Sequence, residues 1–239
     1  MFFTVLIAIP FLFIPSSAFA WGPLTHVYFG SEIFYFGYLL PAGIYDLLRR
    51  YREDYLYGNL MADSIFAKNL LPLEKNTHNW DVAFCLLEST RKPSDMAFSL
   101  GYISHLAADT VAHGIYPSGR KNIEHTFFEL RADSLINREY WNQAIGIDKG
   151  IQYRNDIFLE RYLDSAIFSF KTNVRIFKGM VFLSGLNKEK FGDFIDRRLI
   201  TNGKRKHIIK LREESLDRIV DILCNGSRSA VTKENPFMS

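Results

Sequence analysis

Histidine and acidic residues are spaced through this chain in the way that metal ligands are spaced. The segment HLAADTVAH sets His105, Asp109 and His113 four residues apart. On a helix each step of four turns about 400°, a drift of about 40°, and climbs about 6 Å, so the three side chains form a column on one side. Twelve residues past His113, HTFFE repeats the four-residue step with His125 and Glu129. Upstream, His26 lies near Trp21 in sequence and His78 follows Asp63. Five of the six histidines belong to this set, while the chain has only two cysteines. Imidazole and carboxylate with few thiols describe a zinc site of the catalytic kind, which leaves positions open to water and substrate.

Zinc needs such residues because a ligand must be deprotonated near neutral pH and approach to about 2.0–2.2 Å. Two ions about 3.5–4 Å apart stabilise both the attacking and the leaving oxygens of a phosphoryl displacement, so phosphate esters are the expected substrate class. A single His or Asp on an amphipathic helix is more often a hydrogen-bonded structural residue than a ligand. One multinuclear site accounts jointly for His105, Asp109, His113, His125 and Glu129, where the structural alternative needs separate coincidences. Asp63, within GNLMADS, has two readings: a helix cap or turn, or a bridging or basic carboxylate. Asp81 and Glu88 are expected to face solvent or to support ligands from behind. Asp133 continues the four-residue step beyond Glu129, and only its position in space separates it from a ligand.

The elements that must position these residues read as helices. Apolar residues recur at helical spacing, and β-type alternation is hard to find, so the class is all-α and a single helical-bundle domain is expected. Helices are predicted from near His26 toward Leu39, from Ala42 toward Arg52, and from Asn79 to Glu88. The central one starts at Pro93-Ser94-Asp95 and runs to His113, ending at Gly114. Its neighbour runs from near Asn122 through Trp141, and later helices cover about 156–177, 188–199 and 206–223. Gly146, Gly150, Gly185 and Asn202-Gly203 are the expected breaks. Phe and Tyr number 21 and 12; runs such as IFYFGY suit a helix core or a lipid-facing cleft, with core packing the default.

The first charged side chain is Glu32, and the apolar run from Phe2 through Pro15 closes on SSAFA. Residues 1–20 therefore read as a signal peptide cleaved after Ala20, with an uncleaved anchor as the alternative because no Lys or Arg precedes the run, and secretion or a periplasmic location is expected. Cleavage makes Trp21 the new terminus, whose amino nitrogen and carbonyl oxygen can chelate a metal. The run is short for a span of about 20 residues, so no membrane-crossing segment is expected afterwards. The remaining 219 residues, 239 less 20, suit one domain at 21–239. A net charge of +3 names no partner, and Lys204, Arg205, Lys206, Lys210 and Arg212 read as a solvated helix face. Cys85 and Cys224 are either one disulfide or two buried thiols. The tail VTKENPFMS is expected to fray.

Trp21 with His26, the Asp63 and His78 pair, HLAADTVAH and HTFFE together resemble the zinc-dependent phospholipase C family. That family is similar in fold to the single-strand-specific secreted nucleases and to the N-terminal domain of glycosylphosphatidylinositol-specific phospholipase D. The resemblance covers about 21–130, and no family motif follows about Gly150. It implies an α-helical domain with three zinc ions in a cleft. One ion would take Asp63, His78, His105 and Asp109; a second His113, His125 and Glu129; a third the Trp21 terminus and His26, with Asp109 bridging to the first. The Asp109-to-His113 spacing is nearer the phospholipase D domain, while WGPLTH has the short spacing of the nucleases. The implied activity is hydrolysis of phospholipid at a membrane surface to diacylglycerol and phosphorylated headgroup, with Asp63 as ligand and general base. No stable nucleic-acid partner is expected. The alternatives are a zinc-dependent single-strand nuclease and a non-catalytic, zinc-stabilised module that binds lipid or envelope partners.

Overall fold

The computed structural model describes residues 21–65, 76–113, 131–163, 168–186 and 202–236. These residues form helices α1 (Pro23–Glu32), α2 (Ala42–Arg50), α3 (Arg52–Met61), α4 (Trp80–Glu88), α5 (Pro93–His113), α6 (Arg138–Gly146), α7 (Lys149–Glu160), α8 (Phe170–Leu186) and α9 (Asn202–Asn225). Among the described residues there is no strand, and the all-α class stands. None of their helices is long and apolar enough to cross a membrane.

Helix α5 is the axis of the fold. Its 21 residues, with Asp95 in the first turn, extend about 32 Å at 1.5 Å per residue. It is apolar on most sides, burying Phe98, Tyr102, Ile103 and Leu106, because α1, α3, α4 and α9 all pack against it. The tightest of these contacts is with α3. A Cβ on Gly58 would overlap the carbonyl oxygen of Phe98, and one on Gly101 would overlap that of Tyr55. Glycine at both positions lets the two backbones touch. Helix α3 carries Glu53 and Asp54 in its first turn, where negative charge suits the helix dipole. Asp54 then pairs with Arg154 at 2.6 Å and accepts from Asn155 at 2.7 Å, tying α3 to α7.

Several boundaries differ from the sequence-based expectation. Helix α1 stops at Glu32, and 33–40 is turn and 3-10 helix, since Gly37 lies under the Tyr45 ring and Pro41 follows. A break at Tyr51 (φ −117°, ψ 46°) starts α3, a helix the apolar pattern did not announce. The segment expected to run through Trp141 breaks at 135–137 before α6. The single helix expected over 156–177 is two, α7 and α8. Gly150 falls in the first turn of α7, capped by Asp148, and Gly185 lies inside α8. Expected helix 188–199 and Gly114 lie outside the described residues.

The tail does not fray as expected through Pro236. Ser229 caps a 3-10 turn over Ala230–Lys233 and donates to Asp221, Val231 and Pro236 are buried, and Trp80 Nε1 donates to the Glu234 carbonyl at 2.8 Å. Both cysteines are free, Cys85 exposed and Cys224 half-buried, so neither the disulfide nor the pair of buried thiols is found. Of the basic cluster, Arg205, Lys206 and Lys210 are exposed, but Arg212 is buried because its guanidinium donates to the Ala132 carbonyl at 2.6 Å and lies over the Tyr28 ring.

Candidate metal centre

Four separate segments bring donor atoms to one point. His105 and Asp109 come from α5, one turn apart. Asp63 comes from the turn after α3, where the Ser64 N–H bonds back to the Met61 carbonyl at 3.1 Å. His78 comes from the turn before α4, shaped by its own N–H donating to Asn76 Oδ1 at 2.9 Å. His26 comes from α1. All five side chains are at most 1% exposed.

Distances within the cluster are those of a coordination shell. His78 Nε2 lies 3.2 Å from Asp63 Oδ1, 3.1 Å from Asp109 Oδ2 and 3.1 Å from His105 Nε2. His105 Nε2 lies 3.2 Å from Asp109 Oδ2 and 3.7 Å from Asp63 Oδ1. One imidazole nitrogen has at most one proton, so it cannot donate to three neighbours. Donors about 2.0–2.1 Å from a tetrahedral ion stand about 3.3–3.4 Å from one another, close to the spacings among His78, His105 and Asp109, with Asp63 reaching the two imidazoles. The donor set therefore fits zinc. On the other side of Asp109, His26 Nε2 lies 3.2 Å from Oδ1. That approach has the distance but not the direction of a hydrogen bond, and neither His26 ring nitrogen has a hydrogen-bond partner among the described residues.

The orientation of His105 is fixed from outside the cluster. Its Nδ1 lies 2.8 Å from the Asn59 carbonyl, which only accepts, so Nδ1 carries the proton and Nε2 turns a lone pair inward. This contact requires the close approach of α3 and α5. Thr77 Oγ1 lies 3.2 Å from His78 Nδ1, and Tyr102 donates to the Thr77 carbonyl at 2.5 Å, holding that turn to α5. The rings of His26 and His105 stack at 3.6 Å and 15°. Two cations in that geometry repel.

Charge follows the same pattern. Burial lowers the His26 pKa and the adjacent His105 lowers it further, outweighing Asp109 and Asp63. Burial acts the same way on His105, yet Asp109 and Asp63 overcome it and raise its pKa. Burial would raise Asp109, but His105 and His26 hold its carboxyl well below the usual range. The carboxylates thus demand positive charge in a dry site, and a divalent cation supplies it while leaving imidazoles neutral.

Trp21 is fully buried, its indole Nε1 donating to the Ala108 carbonyl at 3.0 Å, beside Asp109. His113 continues α5 one turn past Asp109; its side chain, and His125 and Glu129 altogether, lie outside the described residues. Asp133 is separated from the cluster by its role. It accepts from the backbone of Leu24 at 3.2 Å and Thr25 at 2.9 Å and from the Thr25 hydroxyl at 2.7 Å, capping α1. The α1 N-cap residue, Gly22, has no side chain to do this, and a Cβ there would overlap the Asp133 carboxylate. Asp81 and Glu88 are exposed, as expected. The sequence reading missed Asn59, Thr77 and Tyr102; no spacing signal marks them, since two of their contacts use main-chain carbonyls.

An all-α fold around a buried His and Asp centre of zinc type defines the class. The sequence model of the zinc dependent phospholipase C family matches residues 25–176, nearly two thirds of the chain, and the chain belongs to that family. The match extends past Gly150, beyond the motifs recognised in the sequence. Membership supports a zinc-dependent, phospholipase C-like hydrolase in general terms. No curated protein matches the chain. No solved structure matches it.

Proposed function

We propose that the chain is a secreted or periplasmic phosphodiesterase that hydrolyses phospholipid to diacylglycerol and a phosphorylated headgroup. The observation that supports this best is the buried cluster of His26, Asp63, His78, His105 and Asp109, with two overlapping groups of donor atoms, inside a family-matched domain. In this reading Asp63, His78, His105 and Asp109 would hold one zinc ion. His26 and the terminus of Trp21, freed by removal of residues 1–20, would hold another with Asp109. His113, His125 and Glu129 would hold a third. Zinc, when bound, supplies Lewis acidity that stabilises charge on the phosphoryl, attacking and leaving oxygens.

The protein's own groups do the rest. Asp63 is the proposed acceptor for the proton of the attacking water, because its carboxylate is held in the centre with Oδ1 3.2 Å from His78 Nε2. The Asn59 carbonyl fixes the proton on His105 Nδ1 and aims its Nε2 at the centre. Trp21 and Asp133 fix α1, and so place His26 against Asp109.

The test combines zinc counting, N-terminal sequencing of the secreted chain and hydrolysis of phosphatidylcholine against single-stranded DNA. Expected are about three zinc ions with positions open to water and substrate, Trp21 as first residue, and release of diacylglycerol and phosphocholine without cleavage of DNA. Cleavage of DNA without lipid hydrolysis would overturn the reading in favour of a nuclease. Stoichiometric zinc with neither activity would make the chain a binding module.

A further inference from the structure

The stretch from Ile33 to Tyr45 contains five aromatic residues and no charged one across 13 positions. Such a run in a helical protein belongs in the core, and in part it goes there: Ile33 and Leu40 are buried. The chain then turns the rest outward. Tyr35 is 76%, Tyr38 80% and Leu39 49% exposed, and Pro41, Ala42 and Gly43 beside them are exposed too. Single exposed apolar residues are ordinary; a contiguous group is not. Among the described residues, the other large exposed apolar side chains are spread over 153–209.

Positive charge borders this patch. Arg52 stacks over Phe34 at 4.8 Å, and Phe34, Tyr35, Tyr38 and Tyr45 line one shallow hollow. Arg49 stands one helical turn beyond Tyr45, on the same side of α2. Arg49 and Asp46 are about equally exposed and lie 3.8 Å apart, so their mutual neutralisation is weak. Between 33 and 52 the charges are Arg49, Arg50 and Arg52 against Asp46 alone.

Tyrosine rings with polar tips, one projecting leucine and a rim of arginines are complementary to the headgroup layer of an anionic bilayer. We infer that the exposed face of 33–45 is a membrane-docking surface that seats the protein on anionic phospholipid. The surface begins where α1 ends, so docking seats the lipid layer at the end of the helix that carries His26, six residues or about 9 Å of helix beyond it. The inference rests on the phospholipid reading for its purpose, though its binding test does not require turnover.

Co-sedimentation of the full chain with vesicles of phosphatidylcholine and phosphatidylglycerol tests it, wild type against Tyr35→Ser/Tyr38→Ser/Leu39→Ser, with the same N-terminus confirmed by mass. Because the three side chains are exposed, the variant should keep its helical circular dichroism. Partition to vesicles should fall about tenfold or more, since it scales with inserted apolar area. Arg49→Gln should weaken binding to mixed vesicles and not to pure phosphatidylcholine. Hydrolysis of a monomeric short-chain lipid should persist in both variants while vesicle hydrolysis drops. Equal partition of wild type and triple variant overturns the docking surface, as does a change in oligomeric state with vesicle binding intact. Vesicle binding that follows these expectations while no lipid is hydrolysed leaves the surface standing and overturns the phospholipase reading instead.

Discussion

Asp109 turns its two oxygens to different partners, Oδ1 to His26 and Oδ2 to His78 and His105. Replacing it with Asn keeps the size and halves the negative charge of the pair, so zinc content and lipid hydrolysis should fall together in metal analysis and product assay. Thr77 tests a subtler point. Its hydroxyl meets the outer nitrogen of His78, so Thr77→Val should leave the helical spectrum unchanged and weaken zinc by about 10–100-fold in a competing-chelator titration. Unchanged affinity would mean that the hydroxyl does not orient the ring. The two candidate ligands on α5 were legible in sequence because their spacing is local to one helix. His26, Asp63 and His78 were legible as residue types, but their convergence depends on packing that no spacing records. Asp133 shows the limit most clearly, since it shares the four-residue step of the ligands and caps a helix instead.

At the level of elements, the centre depends on how closely α3 and α5 approach. Gly101→Ala would drive a methyl into the Tyr55 carbonyl and separate the Asn59 carbonyl from His105. Overpacking of this kind costs about 1–3 kcal/mol, and zinc affinity should fall with the melting temperature. Gly179→Ala in α8 is the control, as nothing lies within 4 Å of its new methyl. It should stabilise by about 0.4–1 kcal/mol through the unfolded chain. Equal effects at the two sites would dissolve the argument from close packing. Sequence signals served α5 well because Pro93 and Asp95 mark its start. They failed for α3, whose start is a backbone break at Tyr51 with no Pro or Gly to announce it. They also failed at 33–40, where apolar residues continue past the end of α1 to face outward.

For the whole molecule, the buried polar groups make stability depend on solution conditions in two separable ways. Chelation leaves two carboxylates in a dry site, so the unfolding free energy from urea titration should drop on adding a strong chelator, by about 4 kcal/mol if zinc stands at 1,000 times its Kd. The second dependence survives in chelator. Tyr55 is fully buried, donates to Ser104 at 3.1 Å, and has its pKa pushed up by burial to about 12. Burial also raises Tyr102 and Tyr57, which donate to the Thr77 carbonyl and to Asp156. These phenols stay neutral in the fold while the unfolded chain ionises near pH 10, so above that pH the unfolded state binds fewer protons and stability declines. Tyr55 alone accounts for a loss of about 2 kcal/mol between pH 10 and 12, the slope staying under about 1.4 kcal/mol per pH unit. Urea midpoints at pH 8, 10 and 11 in chelator should fall little over the first step and more over the second. Tyr55→Phe, which cannot ionise, should start less stable for want of the Ser104 hydrogen bond and then decline less steeply. A midpoint that holds through pH 11 would show that these rings reach solvent before the chain unfolds, and with it that the core around α5 opens locally.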